Sequence, residues 1–164
     1  MQTPPNAVSP PEETIQEVTR QALQHYKGQA GNLLPILHAI QHALGYIPAS
    51  AVPALATDLQ LSRAEIHGVI SFYAHFREKP AGRVVLEVCR AESCQAMGGE
   101  LLAEHARQTL GCEFHSTASN GQVTLEPVYC LGLCAQSPAI MIDGQPYARM
   151  TPAKLDQLLS AKGI

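Results

Sequence analysis

Four of the five cysteines form two close pairs, Cys89-x4-Cys94 and Cys130-x3-Cys134. In a compartment that keeps thiols reduced, cysteines at such spacing are metal ligands or redox groups rather than structural disulfides. A 2Fe-2S core takes four thiolates, two on each iron, and two local pairs suit that demand. Zinc also accepts four thiolates, although its usual knuckles are C-x2-C or paired C-x2-4-C units. Spacing by itself therefore leaves iron–sulfur, zinc and unligated thiols open, with iron–sulfur the better match. A thiol oxidoreductase is the weakest reading, because no C-x-x-C dithiol is present. The plant-type ferredoxin run C-x4-C-x2-C is missing too, since the next cysteine after Cys94 is Cys112. Cys112 itself, in Leu110-Gly111-Cys112-Glu113, has no partner at ligand spacing and reads as a buried structural thiol.

The residues around the pairs suit a buried anionic group. Gly98, Gly99 and Gly132 leave backbone N–H groups accessible to sulfur. A helix beginning near Gly98 would aim its positive end at the site. Arg90, Ser93 and Gln95 add donors or positive charge that would tune a redox potential.

Other chemistry finds little support. His38 and His42 stand at i, i+4, but Ala39 occupies the place of the glutamate in H-E-x-x-H. His25, His67, His75, His105 and His115 have no companion pattern. There is no G-x-G-x-x-G, no P-loop and no nucleophile elbow, so the chain offers no sequence reason to bind NAD or FMN itself.

Two different textures must position the cysteines. Residues 1–11 are rich in proline and polar groups and read as a disordered N-terminus. Ser9-Pro10-Pro11-Glu12 then predicts a helix start, with Ser9 as N-cap and Pro10 at the first helical position, and Gly28 a stop. Further helices are predicted over Leu33–Leu44, over Ser50–Leu59, and from a capping box at Ser62-Arg63-Ala64-Glu65, so that residues 12 to about 76 are helical. Arg77-Glu78-Lys79-Pro80-Ala81-Gly82 carries two breakers and predicts a boundary between a helical domain, 12–80, and a second domain, 81–164. There Val84–Val88 is β-branched strand, Gly98–Leu110 a helix, Asn120-Gly121 a hairpin turn between 113–117 and 122–126, and Ala139–Ile142 a strand turned by Asp143-Gly144. A last helix starts at Thr151-Pro152. The fold class is thus α+β, a helical bundle followed by a small α/β sheet domain.

Composition agrees with an ordered protein that has a partner. Apolar residues make up 46% and charged residues 15%, with no tryptophan. The net charge of −3, with no basic stripe, removes the electrostatic source of nucleic-acid binding. No apolar run approaches the roughly 20 residues of a membrane span. The N-terminus lacks a basic n-region and an apolar h-region, so the expected location is cytoplasmic.

The cysteine pairs sit in a wider pattern. Cys89-x4-Cys94, Glu126-x3-Cys130-Leu131-Gly132-Leu133-Cys134 and the following Pro138 resemble the 24-kDa NADH dehydrogenase family, a peripheral complex I subunit with relatives in soluble hydrogenases and formate dehydrogenases. Leu34-Pro35-Ile36-Leu37, Gln41, Leu44-Gly45-Tyr46-Ile47-Pro48 and Val69-Ile70-Ser71-Phe72-Tyr73-x2-Phe76 extend the resemblance to the helical half. It implies a thioredoxin-like second domain that binds one 2Fe-2S cluster through Cys89, Cys94, Cys130 and Cys134. Complex I members tend to carry a Thr-rich, Pro-containing loop between the first two ligands. Here the loop is Arg90-Ala91-Glu92-Ser93, followed by Gln95-Ala96-Met97-Gly98-Gly99. That version is similar to the γ subunit of soluble, molybdenum-dependent, NAD-linked formate dehydrogenases. Ser62-Arg63-Ala64-Glu65-Ile66-His67-Gly68-Val69 points the same way.

The resemblance implies an electron-transfer subunit without a catalytic site of its own. FMN and NAD would sit on one partner subunit and a molybdenum cofactor on another, with no membrane span and no nucleic acid involved. An equivalent subunit of an NAD-linked hydrogenase or NADH dehydrogenase is the first alternative, and a zinc-stabilised scaffold subunit the second. The aromatic run Phe72-Tyr73-Ala74-His75-Phe76 reads as core packing between the two halves, or less readily as a contact surface for the flavin subunit.

Overall fold

A computed structural model describes residues 10–164. Residues 1–9 lie outside that description, and with them the predicted Ser9 cap and most of the predicted disordered N-terminus. The chain divides into two compact units, one ending at Pro80 and the other beginning at Ala81.

The first unit is helical. Its helices are α1 (Glu12–His25), α2 (Leu33–Leu44), α3 (Val52–Leu59) and α4 (Arg63–Phe72), with a tight 3-10 turn, Ala49–Ala51, leading into α3. The predicted helix at Ser50 therefore opens as a narrower turn. Pro10 is not the first helical residue, as the sequence had suggested: α1 begins at Glu12 with Pro11 at the N-cap. The reason is local, because a residue that precedes proline is pushed out of the helical region, and Pro10 precedes Pro11. Glu12 and Glu13 in the first turn complement the helix dipole. α2 ends at Gly45, whose φ of 81° places the left-handed residue that this helix end needs. α4 starts from the expected capping box, with Glu65 N–H donating to Ser62 Oγ at 3.2 Å and Ser62 N–H donating to Glu65 Oε2 at 2.7 Å. The Ser62 N–H and, at 2.8 Å, the Ser62 hydroxyl both donate to the Glu65 carboxyl and hold it below its ordinary range.

Ile36, Leu37, Ile40, Leu55, Ile66 and Ile70 form the centre of this unit's core. The helix does not run to residue 76 as predicted. Buried Gln41 captures the segment after α4, donating from Nε2 to the His75 carbonyl and accepting from the Arg77 N–H, both at 2.7 Å. Ile47 N–H adds a bond to the Arg77 carbonyl at 2.7 Å. A tertiary polar anchor thus overrides local helical preference. Phe76 packs into the helical core, whereas Phe72 and Tyr73 are exposed, so the aromatic run splits between two environments. His38 packs its ring against His75 and Phe76.

The second unit is a five-stranded sheet in the order β2-β3-β1-β4-β5, built from β1 (Val84–Cys89), β2 (Ser116–Thr117), β3 (Val123–Val128), β4 (Ile140–Ile142) and β5 (Gln145–Tyr147). β1 and β3 are parallel, and the remaining pairs are antiparallel. Val84, Leu86 and Val88 alternate onto one face with Val123 and Leu125, against Leu102, Ala103 and Ala106 of α6 (Glu100–Leu110) and Leu155 and Leu159 of α7 (Pro152–Ala161). Thr151 caps α7 by accepting from Lys154 N–H. The fold is α+β as expected. Cys112 is half-buried and packs on the edge of this core, short of the full burial predicted.

One feature of the register matters most for chemistry. β1 and β3 run side by side from Val84↔Val123 to Cys89↔Val128, so both strands end at the same edge of the sheet. A parallel pair delivers its following loops to one side. Cys89 ends β1 and the loop after it carries Cys94, while the loop after β3 carries Cys130 and Cys134.

Candidate metal centre

The first loop folds at once into a single helical turn, α5 (Glu92–Cys94), and then a wider turn, Gln95–Gly99, which departs from helix at Met97 and Gly98. α6 accordingly begins at Glu100, not at Gly98 as predicted, because Gly98 takes a φ of 89° and ends the preceding turn. Cys89 and Cys94 are buried and share a small apolar cluster with Ala139, flanked by Ala91, Val128, Leu131 and Leu133. Cys130 and Cys134 are exposed, and their Sγ atoms lie 3.8 Å apart.

The two loops meet. Backbone N–H groups of Ala91 and of Leu131, the latter on the second loop, act on the Cys89 thiol in the sense that favours its charged form. Ser93 Oγ donates to the Cys134 carbonyl at 3.1 Å and sits 2.8 Å from Ser137 Oγ. Cys94 Sγ donates to Ser137 Oγ at 3.7 Å. Burial pushes the Cys89 thiol above its ordinary range, with the Cys94 thiol adding to the shift and the Ala91 and Leu131 N–H groups opposing it. Cys134 is raised as well, chiefly by its Cys130 neighbour and also by Cys94. Thiols so crowded resist becoming charged together unless a cation shares their electrons.

Backbone geometry at the second loop is unusual. Cys130 has a φ of 139°, a region that side-chain-bearing residues rarely adopt. Gly132 follows with a φ of 74° and turns its N–H onto Cys130 Sγ at 3.3 Å. Strain of this kind persists where surrounding structure holds it, and it concentrates at functional sites.

Sequence reasoning named three side chains as tuning groups, and the structure treats them differently. Arg90 pairs with Glu100 at 2.8 Å and stacks over the Phe114 ring, so its guanidinium is engaged by those two side chains. Gln95 donates to the Arg90 carbonyl at 2.8 Å and pins the loop. Ser93 bonds the opposite loop. Gly132 supplies the expected N–H, whereas Gly99 is packed against the Cys94 backbone. Ser137 was missed, although it lies in the same short segment as Cys134 and Pro138. The Ala91 and Leu131 donors are backbone groups and leave no trace in residue type. Among the described residues, no three His, Cys, Asp or Glu side chains converge as one bound ion would require, and His38 and His42 do not form a site.

These observations define a donor set of two thiol couples, one buried and one exposed, each crowded within itself, with the Gly132 N–H already directed at the Cys130 sulfur. The model of one protein family, thioredoxin-like 2Fe-2S ferredoxin, matches residues 19–162. The chain belongs to this family. Among its ferredoxin relatives, an NADH-quinone oxidoreductase subunit of Pseudomonas aeruginosa is 30% identical over 149 residues, covering 91% of this chain and 90% of that one. The NAD-reducing hydrogenase HoxS subunit alpha of Cupriavidus necator is 31% identical over 138 residues, which is 84% of this ferredoxin-family chain but 23% of the hydrogenase subunit. The crystal structure of an NAD+-reducing NiFe-hydrogenase in its H2-reduced state superposes with a TM-score of 0.66 at 27% identity, over 80% of this chain and 22% of that one.

Proposed function

We propose that Cys89, Cys94, Cys130 and Cys134 hold one 2Fe-2S cluster, and that the chain is an electron-transfer subunit of an NAD-linked oxidoreductase complex. The observation that carries this reading is the meeting of the 89/94 loop with the 130/134 loop, through Ser93 Oγ on the Cys134 carbonyl at 3.1 Å and Ser137 Oγ against Ser93 Oγ at 2.8 Å and Cys94 Sγ at 3.7 Å. Two thiol couples side by side suit a dinuclear core, with one couple for each iron.

When bound, such a cluster accepts and returns single electrons. The protein's part is to keep the ligands in place and set the energy of the added charge. Gly132 does this with an N–H directed at the Cys130 sulfur, a fixed dipole that favours the more negative state. Burial of Cys89 and Cys94 keeps water from one side, while exposed Cys130 and Cys134 leave the other side open to a redox partner.

The partner is inferred to be a subunit carrying FMN and the nicotinamide site, with this chain beside the flavin as a one-electron reservoir. The loop Arg90-Ala91-Glu92-Ser93 and its flanking residues favour an NAD-dependent formate dehydrogenase, in which a further subunit holds a molybdenum cofactor. A hydrogenase or NADH dehydrogenase complex is the second reading, favoured by the relatives described above. No helix of the described residues is long and apolar enough to cross a membrane. The complex is proposed to be cytoplasmic.

Anaerobic purification tests the cluster: two irons and two sulfides per chain, visible absorbance, and an EPR signal that appears only on reduction are expected. One zinc in a colourless protein would establish the scaffold alternative instead. Co-purification tests the complex. Associated flavin- and molybdenum-containing subunits with formate-dependent NAD reduction are expected, and association with a hydrogenase subunit would select the second reading.

A further inference from the structure

The two cysteine loops are joined by a pair of hydroxyls that belongs to neither cysteine motif. Ser93 and Ser137 are both half-buried, and their Oγ atoms lie 2.8 Å apart. Each also reaches the Cys134 carbonyl, Ser93 at 3.1 Å and Ser137 at 2.9 Å. Ser137 Oγ is the acceptor for the Cys94 thiol at 3.7 Å. One ligand couple is thereby tied to the other through two short side chains on separate loops.

Each hydroxyl has one hydrogen to donate and two lone pairs to accept with. With Cys94 as a thiol, S–H donates to Ser137 Oγ while Ser137 donates to the Cys134 carbonyl. A cysteine bound to metal is a thiolate and has no hydrogen to give. The same contact then needs a donor on the serine side. Rotation of the Ser137 hydroxyl supplies it without moving a heavy atom, and the Ser93 hydrogen, shared between the Cys134 carbonyl at 3.1 Å and Ser137 Oγ at 2.8 Å, keeps the carbonyl supplied. A single serine has one hydrogen and cannot serve both acceptors. Two can.

We propose that Ser93 and Ser137 are positioning residues: Ser137 donates to the Cys94 sulfur in the loaded protein, and Ser93 holds the second loop against the first. This inference rests on the reading that the four cysteines bind the cluster. A hydrogen bond to a ligand sulfur stabilises the reduced, more negative state more than the oxidised one, so Ser137 raises the midpoint potential. Ser93 acts through the loop, and its contribution is retention of the metal.

The test uses the full chain as wild type, Ser137→Ala, Ser137→Thr and Ser93→Ala, purified anaerobically. Iron and sulfide content, the midpoint potential from an EPR-monitored titration, and the rate of iron release to a chelator are measured. Ser137→Ala is expected to show a more negative potential than wild type, and Ser137→Thr to restore it. Ser93→Ala is expected to keep the wild-type potential but to release iron faster, on the order of tenfold. A Ser137→Ala protein that folds but retains no iron, while Ser137→Thr retains it, also supports the assignment, because the hydroxyl is then what the site requires. A fully loaded Ser137→Ala protein with the wild-type potential overturns it. So does failure of Ser137→Thr to recover either property. A wild-type protein that takes up no iron at all removes the cluster reading beneath the inference, an outcome distinct from unchanged potentials in loaded variants.

Discussion

Gly99 lies so close to the backbone of Cys94 that a Cβ added to it would stand 2.5 Å from the Cys94 carbonyl oxygen and 2.8 Å from the carbonyl carbon. Both atoms are main chain, so neither can swing aside. The turn that carries a proposed ligand is therefore wound tightly around a residue with no side chain. Gly99→Ala must displace Cys94 or open the turn. We expect a loss of about 1–3 kcal/mol in denaturant unfolding, as overpacking usually costs, together with reduced iron retention. Wild-type stability and iron content in this variant would show that the turn is loose.

The thiols lead to a pH dependence with two opposite slopes. Cys89 and Cys134 are raised above the ordinary thiol range, the first chiefly by burial and the second chiefly by Cys130. A raised folded-state value means that the metal-free protein holds protons the unfolded chain has already lost. Its stability is then full below the ordinary thiol range and falls as pH rises through the raised values. Metal uptake runs the other way, since each ligand must lose its proton, and apparent affinity rises with pH over the same window. Thermal melts of metal-free protein and metal competition titrations, both from about pH 6 to pH 10 around the ordinary thiol value, check the two signs.

In the helical unit, Phe72 and Phe76 are separated by one turn of sequence and by their surroundings. Phe76 is 8% exposed and Phe72 79% exposed. Phe76→Ala should destabilise by about 3–5 kcal/mol, the usual cost of emptying a large aromatic site. Phe72→Ala should change stability by less than about 0.5 kcal/mol. Equal effects on unfolding would contradict this division. A test of the aromatic run as a docking surface accordingly belongs at Phe72, because Phe76→Asp would unfold the unit before it reported on a partner.

The capping box at Ser62 offers a cleaner electrostatic test. Glu65 is held below its ordinary value by its bonds from the Ser62 N–H and hydroxyl. That contribution is present above the ordinary carboxylate range and is lost as pH falls through the lowered Glu65 value. Ser62→Ala should cost about 1 kcal/mol at neutral pH. The gap between variant and wild type should narrow in acid. A gap that stays constant down to pH values at which Glu65 is protonated would argue that the cap acts through the hydroxyl alone.

Elements with a strong local signal were readable from sequence. α2 runs from Leu33 to Leu44 as its apolar spacing and Gly45 require, and Ser62 and Glu65 form the box their spacing predicts. Val84–Val88 is strand because a run of β-branched residues has few other comfortable conformations. Errors fell where a distant group decided a local question. The end of α4 depends on Gln41, some thirty residues earlier in the chain, and the start of α6 on the left-handed Gly98 in the turn that follows Cys94. Arg90 looked like a tuning charge because its type and place were right. Its partner Glu100 becomes a neighbour only when the loop folds back on α6.

By itself, the order of residues determined the chemistry on offer: four thiols in two pairs, each pair at the exit of a strand, with glycines beside them. Residue types and short spacings carry that information, because reactivity and local conformation are properties of near neighbours. Whether the pairs could act together was decided only by the parallel register of β1 on β3, which sends both loops to one edge of the sheet. The serine bridge was decided there too. Such contacts join loops some forty residues apart and depend on backbone direction, which no single residue's identity specifies.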